Sequence, residues 1–234
     1  MDESCAKIEK GVLIKYTDNS GPFPIGSDIV SYGVTKFDDH AFSNCQEIQE
    51  LYIPWYVEEI PETNFVNEKG KIQSPDFTIY GEKETEAERV AKKVGINFIE
   101  TNIWTSKNKI YAYFGRREKF VMPEGIVSTW GSIFECAPHI AEVKLPSTLC
   151  FISGKTFINC KNIKEIIIPK SVNGTGSEVF KGCKKLQSVT FENGNTNLGD
   201  KCFTSCPKTL VIKAPAGGKI EEYAKKYKLT FEAI

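Results

Sequence analysis

Four phenylalanines stand 23 residues apart, at Phe134, Phe157, Phe180 and Phe203. Other positions keep the same step. Pro123, Pro146 and Pro169 are spaced alike, and Glu192 holds the next such place. Ile140, Ile163 and Leu186 follow their phenylalanine by six residues; Val143, Ile166 and Val189 follow by nine; Leu145, Ile168 and Phe191 follow by eleven. Cys160, Cys183 and Cys206 follow by three, and in the first of these units the cysteine slips to Cys136. One period earlier Tyr111 takes the phenylalanine place, with Phe120 and Met122 as its apolar pair. The first half obeys the same rule: Phe42 is followed by Cys45, Ile48, Leu51, Ile53 and Pro54 at matching offsets, and Phe65 comes 23 residues after Phe42.

A fixed period of this length is the signature of a stacked repeat. Each unit holds a short strand, such as 142–145 or 165–168, whose apolar residues are two apart and so share one face. The proline that follows has no N–H for the ladder and ends the strand. The phenylalanine and cysteine fall on a short helical turn or loop on the far side. One unit cannot bury its apolar face alone, so stability comes from nearest-neighbour stacking. The expected fold is an α/β, strand-rich solenoid of 23-residue units, with short parallel strands on a concave face and helical C-terminal caps. Three stretches interrupt the pattern: a turn-rich loop over 17–28, a polar break over 66–76, and a flexible turn over 172–177.

Two caps are expected. Ile79, Ala87, Ala91 and Phe98 match Ile212, Ile220, Ala224 and Phe231 at a constant offset of 133. In each set apolar residues at i and i+4 alternate with charged ones, as in a short amphipathic helix. The openings also correspond, 12–16 resembling 109–113. Two capped arrays follow, residues 1–101 and 102–234. Charge divides at the same place. Residues 1–101 carry 10 Lys+Arg and 19 Asp+Glu, a net −9, and residues 102–234 carry 20 and 11, a net +9. An acidic array joined to a basic one favours weak, salt-sensitive, head-to-tail self-association.

The whole-chain formal charge is zero, which argues against nucleic acid as a partner. Membrane insertion is not expected, because no stretch approaches about 18 consecutive apolar residues. The N-terminus has no basic segment followed by an apolar one, so no signal peptide is expected in this chain. That leaves a cytoplasmic protein, or a mature or trimmed form. The 8 Cys are too sparse for a disulfide scaffold and the repeat places Cys160, Cys183 and Cys206 in a buried column of thiols, so no metal or other cofactor is expected. His40 and His139 are isolated, and neither a nucleotide-binding motif nor a catalytic constellation is present, so no enzyme activity is expected. Asn173-Gly174-Thr175 fits a glycosylation sequon but is read as a turn.

These residues resemble the repeat of the BspA-like leucine-rich repeat family, roughly Ala-Phe-x-x-Cys-x-x-Leu-x-x-Ile-x-Ile-Pro-x-x-Val. Residues 41–54, from Ala41-Phe42 through Cys45, Ile48, Leu51 and Ile53 to Pro54, match it closely, as does 157–169. The sequence departs from it at Cys136, at Glu192, and in a last unit where Leu210 and Ile212 follow Phe203 by seven and nine. The resemblance implies a curved parallel-strand solenoid of the kind found in many bacterial proteins, often at the cell surface and often in binding or adhesion, and it implies no enzyme activity.

On each strand the residues between the buried pair point outward. They give an expected protein-binding face of Glu50, Tyr52, Lys119, Val121, Glu142, Lys144, Glu165, Ile167, Ser188 and Thr190. Among the three tryptophans, Trp55 is the best binding anchor, while Trp104 is placed to pack the array boundary. An intracellular scaffold or assembly protein is the alternative to an adhesion-type module.

Overall fold

A computed structural model of the chain describes residues 6–16, 33–42, 49–66, 69, 72, 77–134 and 137–234. Cys45, Ile48, Cys136, the 17–28 loop and most of the 66–76 break lie outside them. The chain divides into two compact units, Met1–Asn102 and Ile103–Ile234.

The first unit opens with an antiparallel hairpin, β1 (Ala6–Glu9) and β2 (Val12–Tyr16), which β3 (Lys36–Phe37) joins in parallel. A second, parallel sheet is formed by β4 (Glu50–Tyr52), β5 (Thr78–Gly81) and β6 (Asn97–Glu100). Leu51, Ile53 and Ile79 point inward and are fully buried, as the period of two requires. Phe42 and Phe65 stack at 6.5 Å.

The second unit repeats this opening with β7 (Ile103–Ser106) and β8 (Lys109–Tyr113). The first three coils that follow carry two strands each. One column holds β9 (Lys119–Val121) and β11 (Glu142–Lys144), paired with each other, and then a four-stranded ladder of β13 (Glu165–Ile168), β15 (Ser188–Phe191), β16 (Val211–Ala214) and β17 (Thr230–Ala233). The other adds β10 (Ser128–Thr129), β12 (Phe151–Ile152) and β14 (Gly174–Thr175) to β8. Glu142 pairs with Lys119, Phe151 with Ser128, Gly174 with Phe151, and Ser188 with Glu165, each a step of 23 residues. The strand-rich solenoid is therefore the fold, with a second strand column that the 23-residue period does not reveal. Its strands are two residues long, too short to show a period. The segment 172–177, expected as a flexible turn, contains β14, because hydrogen bonds from both adjacent coils hold it extended.

The phenylalanine column is the core's spine. Phe134, Phe157, Phe180 and Phe203 stack at centroid distances of 5.3, 5.2 and 5.4 Å, and Tyr223 of the C-terminal helix closes the stack edge-on at 6.1 Å. At the other end the ring meeting Phe134 is Tyr113, not Tyr111. The period places Tyr111 there, but the pairing of β7 with β8 skips Tyr111 at a β-bulge, and this break in the alternation lets Tyr113 as well as Ile110 turn inward while Tyr111 stays half-buried.

Both cap helices form, at Glu86–Val94 and Lys219–Tyr227. Each buries the apolar residues read from the sequence: Ala87 and Ala91 in one, Ile220 and Ala224 in the other. Each begins with the same device. Glu88 accepts a hydrogen bond from the Glu84 N–H, and Glu221 accepts one from the Gly217 N–H, both at 2.8 Å, which satisfies donors just ahead of the first turn. Each ends on a left-handed residue, Gly95 or Lys228, and leads into β6 or β17.

Candidate functional site

The strand ladder of the second unit presents two outward rows. One runs through Lys119, Glu142, Glu165 and Ser188, and the other through Val121, Lys144, Ile167 and Thr190. Lys119, Val121, Glu142, Lys144, Glu165 and Ile167 are exposed, while Ser188 and Thr190 are half-buried. The two aliphatic side chains are unusually bare for their type: Val121 is 55% exposed and Ile167 58%. Lys119 and Glu142 form an ion pair at 2.8 Å across adjacent strands.

The ladder is not continuous. β9 pairs with β11, and β13 with β15, β16 and β17, but β11 and β13 belong to separate sheets. Between them opens a groove of about 840 Å³, floored by Val143, Leu145 and Ile166 and rimmed by Glu142, Lys144, Glu165 and Ile167. On the other side of the same coils, β12 and β14 remain paired, so the opening is one-sided. At the rim Glu124 accepts hydrogen bonds from the Ser147 N–H and hydroxyl one coil away, both at 3.1 Å, and the Ser147 N–H leads in holding its carboxyl below the usual carboxylate range. The sequence reading gave the outward residues; the groove left no local signal, because it depends on how two coils dock.

The remaining two expected face residues lie in the first unit. Glu50 is half-buried and accepts a hydrogen bond from the Tyr80 hydroxyl at 3.1 Å. Tyr52 is 8% exposed and lies flat against Tyr80 at 4.4 Å with planes 4° apart. Burial, with Glu50 nearby, pushes its phenol pKa well up. Trp55 is partly exposed and meets Tyr56 edge-on at 5.9 Å. Trp104 stacks on Tyr111 at 4.6 Å within the second unit, Tyr111 stacks on exposed Trp130 at 5.5 Å, and the Lys109 ammonium sits 4.3 Å from the Trp130 ring centre. This aromatic file escaped the sequence reading because the repeat had assigned Tyr111 to the core.

The cysteines form the expected inner column. Cys183 donates its S–H to the Phe157 carbonyl at 3.1 Å and Cys206 to the Phe180 carbonyl at 3.0 Å, so each thiol ties its coil to the one before. Burial pushes the Cys183 thiol up to about 12 and the Cys206 thiol to about 11. Both forms of chemistry that need a thiolate, metal binding and nucleophilic attack, are disfavoured there. Among the described residues no group of three His, Cys, Asp or Glu side chains is arranged to hold a metal. His139 makes a 3.0 Å hydrogen bond with the Gly115 carbonyl, and His40 is exposed with a positive φ of 60°. No described helix is long and apolar enough to cross a membrane.

Comparison with known sequences assigns this arrangement. The profile of the BspA type leucine-rich repeat region matches in 6 copies over residues 25–82 and 98–228. The chain belongs to the BspA-type leucine-rich repeat family. No curated protein matches it. Among solved structures this BspA-type chain is similar to a leucine-rich repeat protein from Eubacterium ventriosum, with 16% identity over 78% of this chain and 46% of the other and a TM-score of 0.42. It is similar to a leucine rich cell surface protein from Faecalibacterium prausnitzii, with 17% identity over 88% and 64% and a TM-score of 0.47. It is also similar to a leucine-rich repeat protein from Bacteroides ovatus, with 16% identity over 86% and 70% and a TM-score of 0.43. The BspA-type chain thus spans about half of the first of these and under two thirds of the second.

Proposed function

We propose that the protein is a non-enzymatic, protein-binding module that engages its partner on the outer face of the β9–β11–β13–β15 ladder. The observation that carries this reading is the exposure of Val121 and Ile167 among Lys119, Glu142, Lys144 and Glu165, beside a groove where the ladder opens. Bare aliphatic side chains on a charged rim are the composition of a recognition surface, in which desolvation of the apolar centre supplies affinity and the charges set orientation. Repeat proteins of this kind use extended sheet faces for such contacts. Glu50 and Tyr52 do not contribute in this reading, since Tyr80 hydrogen-bonds the one and covers the other.

The test is capture of proteins from an extracellular-matrix extract by immobilised wild type and by a Val121→Glu/Ile167→Glu variant, with circular dichroism checking the fold of both. Partners held by the wild type and lost by the variant support the assignment. Equal retention by both rejects this face as the site.

A further inference from the structure

The positive charge of the second unit is concentrated on one corner of its coils. The segments 153–164, 176–187 and 199–210, which run from the phenylalanine turn to the next strand, hold eight lysines against two carboxylates. Three of the eight are locally offset. Lys181 pairs with Glu178 at 2.6 Å, and Lys155 and Lys201 flank the same Glu178 and help hold its carboxyl low. Of the other five, Lys161, Lys184, Lys185 and Lys208 lie just beyond the cysteine of their coil, with Lys164 at the margin next to Glu165. All five are exposed, and none has a carboxylate within ion-pair distance among the described residues.

Stacking brings the four into one stripe. Lys161 and Lys184 occupy equivalent positions in adjacent coils, as do Lys185 and Lys208. Backbone bonds hold the register on both sides of the corner: Asn159 N–H to the Lys181 carbonyl and Gly182 N–H to the Thr204 carbonyl before it, Gln187 N–H to the Lys164 carbonyl and Val211 N–H to the Gln187 carbonyl after it. The coils therefore lie about 4.8 Å apart there, the spacing of neighbouring strands. Lys185 also donates to the Asn162 side chain one coil back at 2.9 Å, which keeps its ammonium on the corner. Like charges set at this spacing repel one another and gain from a ligand that brings several negative charges at once.

We propose that this stripe is a second binding site, separate from the sheet face, for a linear anionic polysaccharide. A lysine ammonium is a point donor suited to sulfate or carboxylate groups without demanding a fixed bidentate geometry. A nucleic acid is the other linear polyanion, but its single-strand sites interleave lysines with aromatic rings on which bases stack. No exposed large apolar or aromatic side chain lies in 158–164, 181–187 or 204–209.

The test uses fluorescently labelled heparin as probe and single-stranded DNA as competitor. The stripe variant replaces Lys161, Lys184, Lys185 and Lys208 with Gln, and a charge-matched control replaces Lys15, Lys107, Lys170 and Lys226 with Gln. The wild type and the control are expected to bind heparin alike. The stripe variant is expected to lose about tenfold or more in affinity and to show a flatter dependence of log affinity on log salt, because fewer counterions are released. No heparin binding by the wild type, equal losses in both variants, or single-stranded DNA outcompeting heparin at equal charge would each overturn the proposal.

Discussion

Phe157 and Phe180 lie 5.2 Å apart, centroid to centroid, with their ring planes 2° from parallel. Each is buried at under 2%, and each belongs to a coil whose backbone pairs with the other: Phe157 N–H bonds to the Val179 carbonyl at 2.9 Å. The parallel stack is a consequence of the coil spacing, since identical side chains on identical turns are forced into the same orientation one step apart. Truncating either ring removes packing on both of its faces. Phe157→Ala is expected to lower stability by about 3–5 kcal/mol, and Phe157→Leu by markedly less, because much of the volume is kept. Urea unfolding of the three proteins checks this; equal midpoints for Phe157→Ala and wild type would mean that the column is not the core.

The inner thiols give a pH signature. Cys183 titrates at about 12 in the folded protein and near 9.0 when exposed. Below pH 9 both states keep the proton and the full stability is present. Between pH 9 and 12 the unfolded chain loses the proton that folded Cys183 retains, so stability falls as pH rises through this window. A Cys160→Ala/Cys183→Ala variant should start less stable at pH 8 and lose less between pH 8 and pH 11. An identical loss over that range in both proteins would contradict it.

Thr129 is a buried hydroxyl with three jobs at one corner. Its Oγ1 accepts the Ser153 N–H at 2.9 Å and lies 2.8 Å from the Thr156 hydroxyl, while its carbonyl accepts the Ser153 hydroxyl. Thr129→Val keeps the shape and deletes the acceptor. The expected cost is about 1 kcal/mol, from a half-buried N–H left without its acceptor. Thr175→Val removes the analogous contact to the Gly199 N–H, longer at 3.3 Å, and is expected to cost less. Thermal or chemical unfolding ranks the pair.

The break in the ladder predicts a contrast in amide exchange. Ser188 N–H bonds to the Lys164 carbonyl and Glu192 N–H to the Ile168 carbonyl, so the β15 edge facing β13 is paired. Alternation along β13 then aims the N–H groups of Glu165 and Ile167 at β11, where no ladder forms. Those two amides should exchange much faster than the amides of Ser188 and Thr190, as resolved by hydrogen exchange read by NMR. Equal protection at the two steps would mean that the groove is closed in solution.

The corner glycines set a limit on substitution. A Cβ at Gly176 would fall onto the Gly154 backbone of the preceding coil, and that backbone is held in the stack. Gly176→Ala is therefore expected to destabilise by about 1–3 kcal/mol through overpacking, whereas Gly217→Ala, at a site open to solvent with φ of 77°, pays only its backbone strain. Denaturant midpoints of the two variants separate the mechanisms.

By itself the sequence determined the coil length, the inward residues such as Ile166 and Val189, the phenylalanine and cysteine columns, and the two cap helices. These are local patterns repeated often enough that stacking is the one way to bury them, and stacking carries each pattern into the next coil. Only the tertiary structure decided what depends on neighbouring coils. It turned Gly174-Thr175 into a strand, because partners on both sides supply hydrogen bonds that a two-residue segment cannot specify. It put Tyr113 rather than Tyr111 in the core, because the β-bulge at Tyr111 shifts the alternation of β8 against the 23-residue count. It covered Tyr52 with Tyr80, brought the lysines of successive coils into one stripe, and opened the ladder between β11 and β13. Exposure, charge density and groove shape are sums over residues far apart in the chain, so a single period contains no record of them.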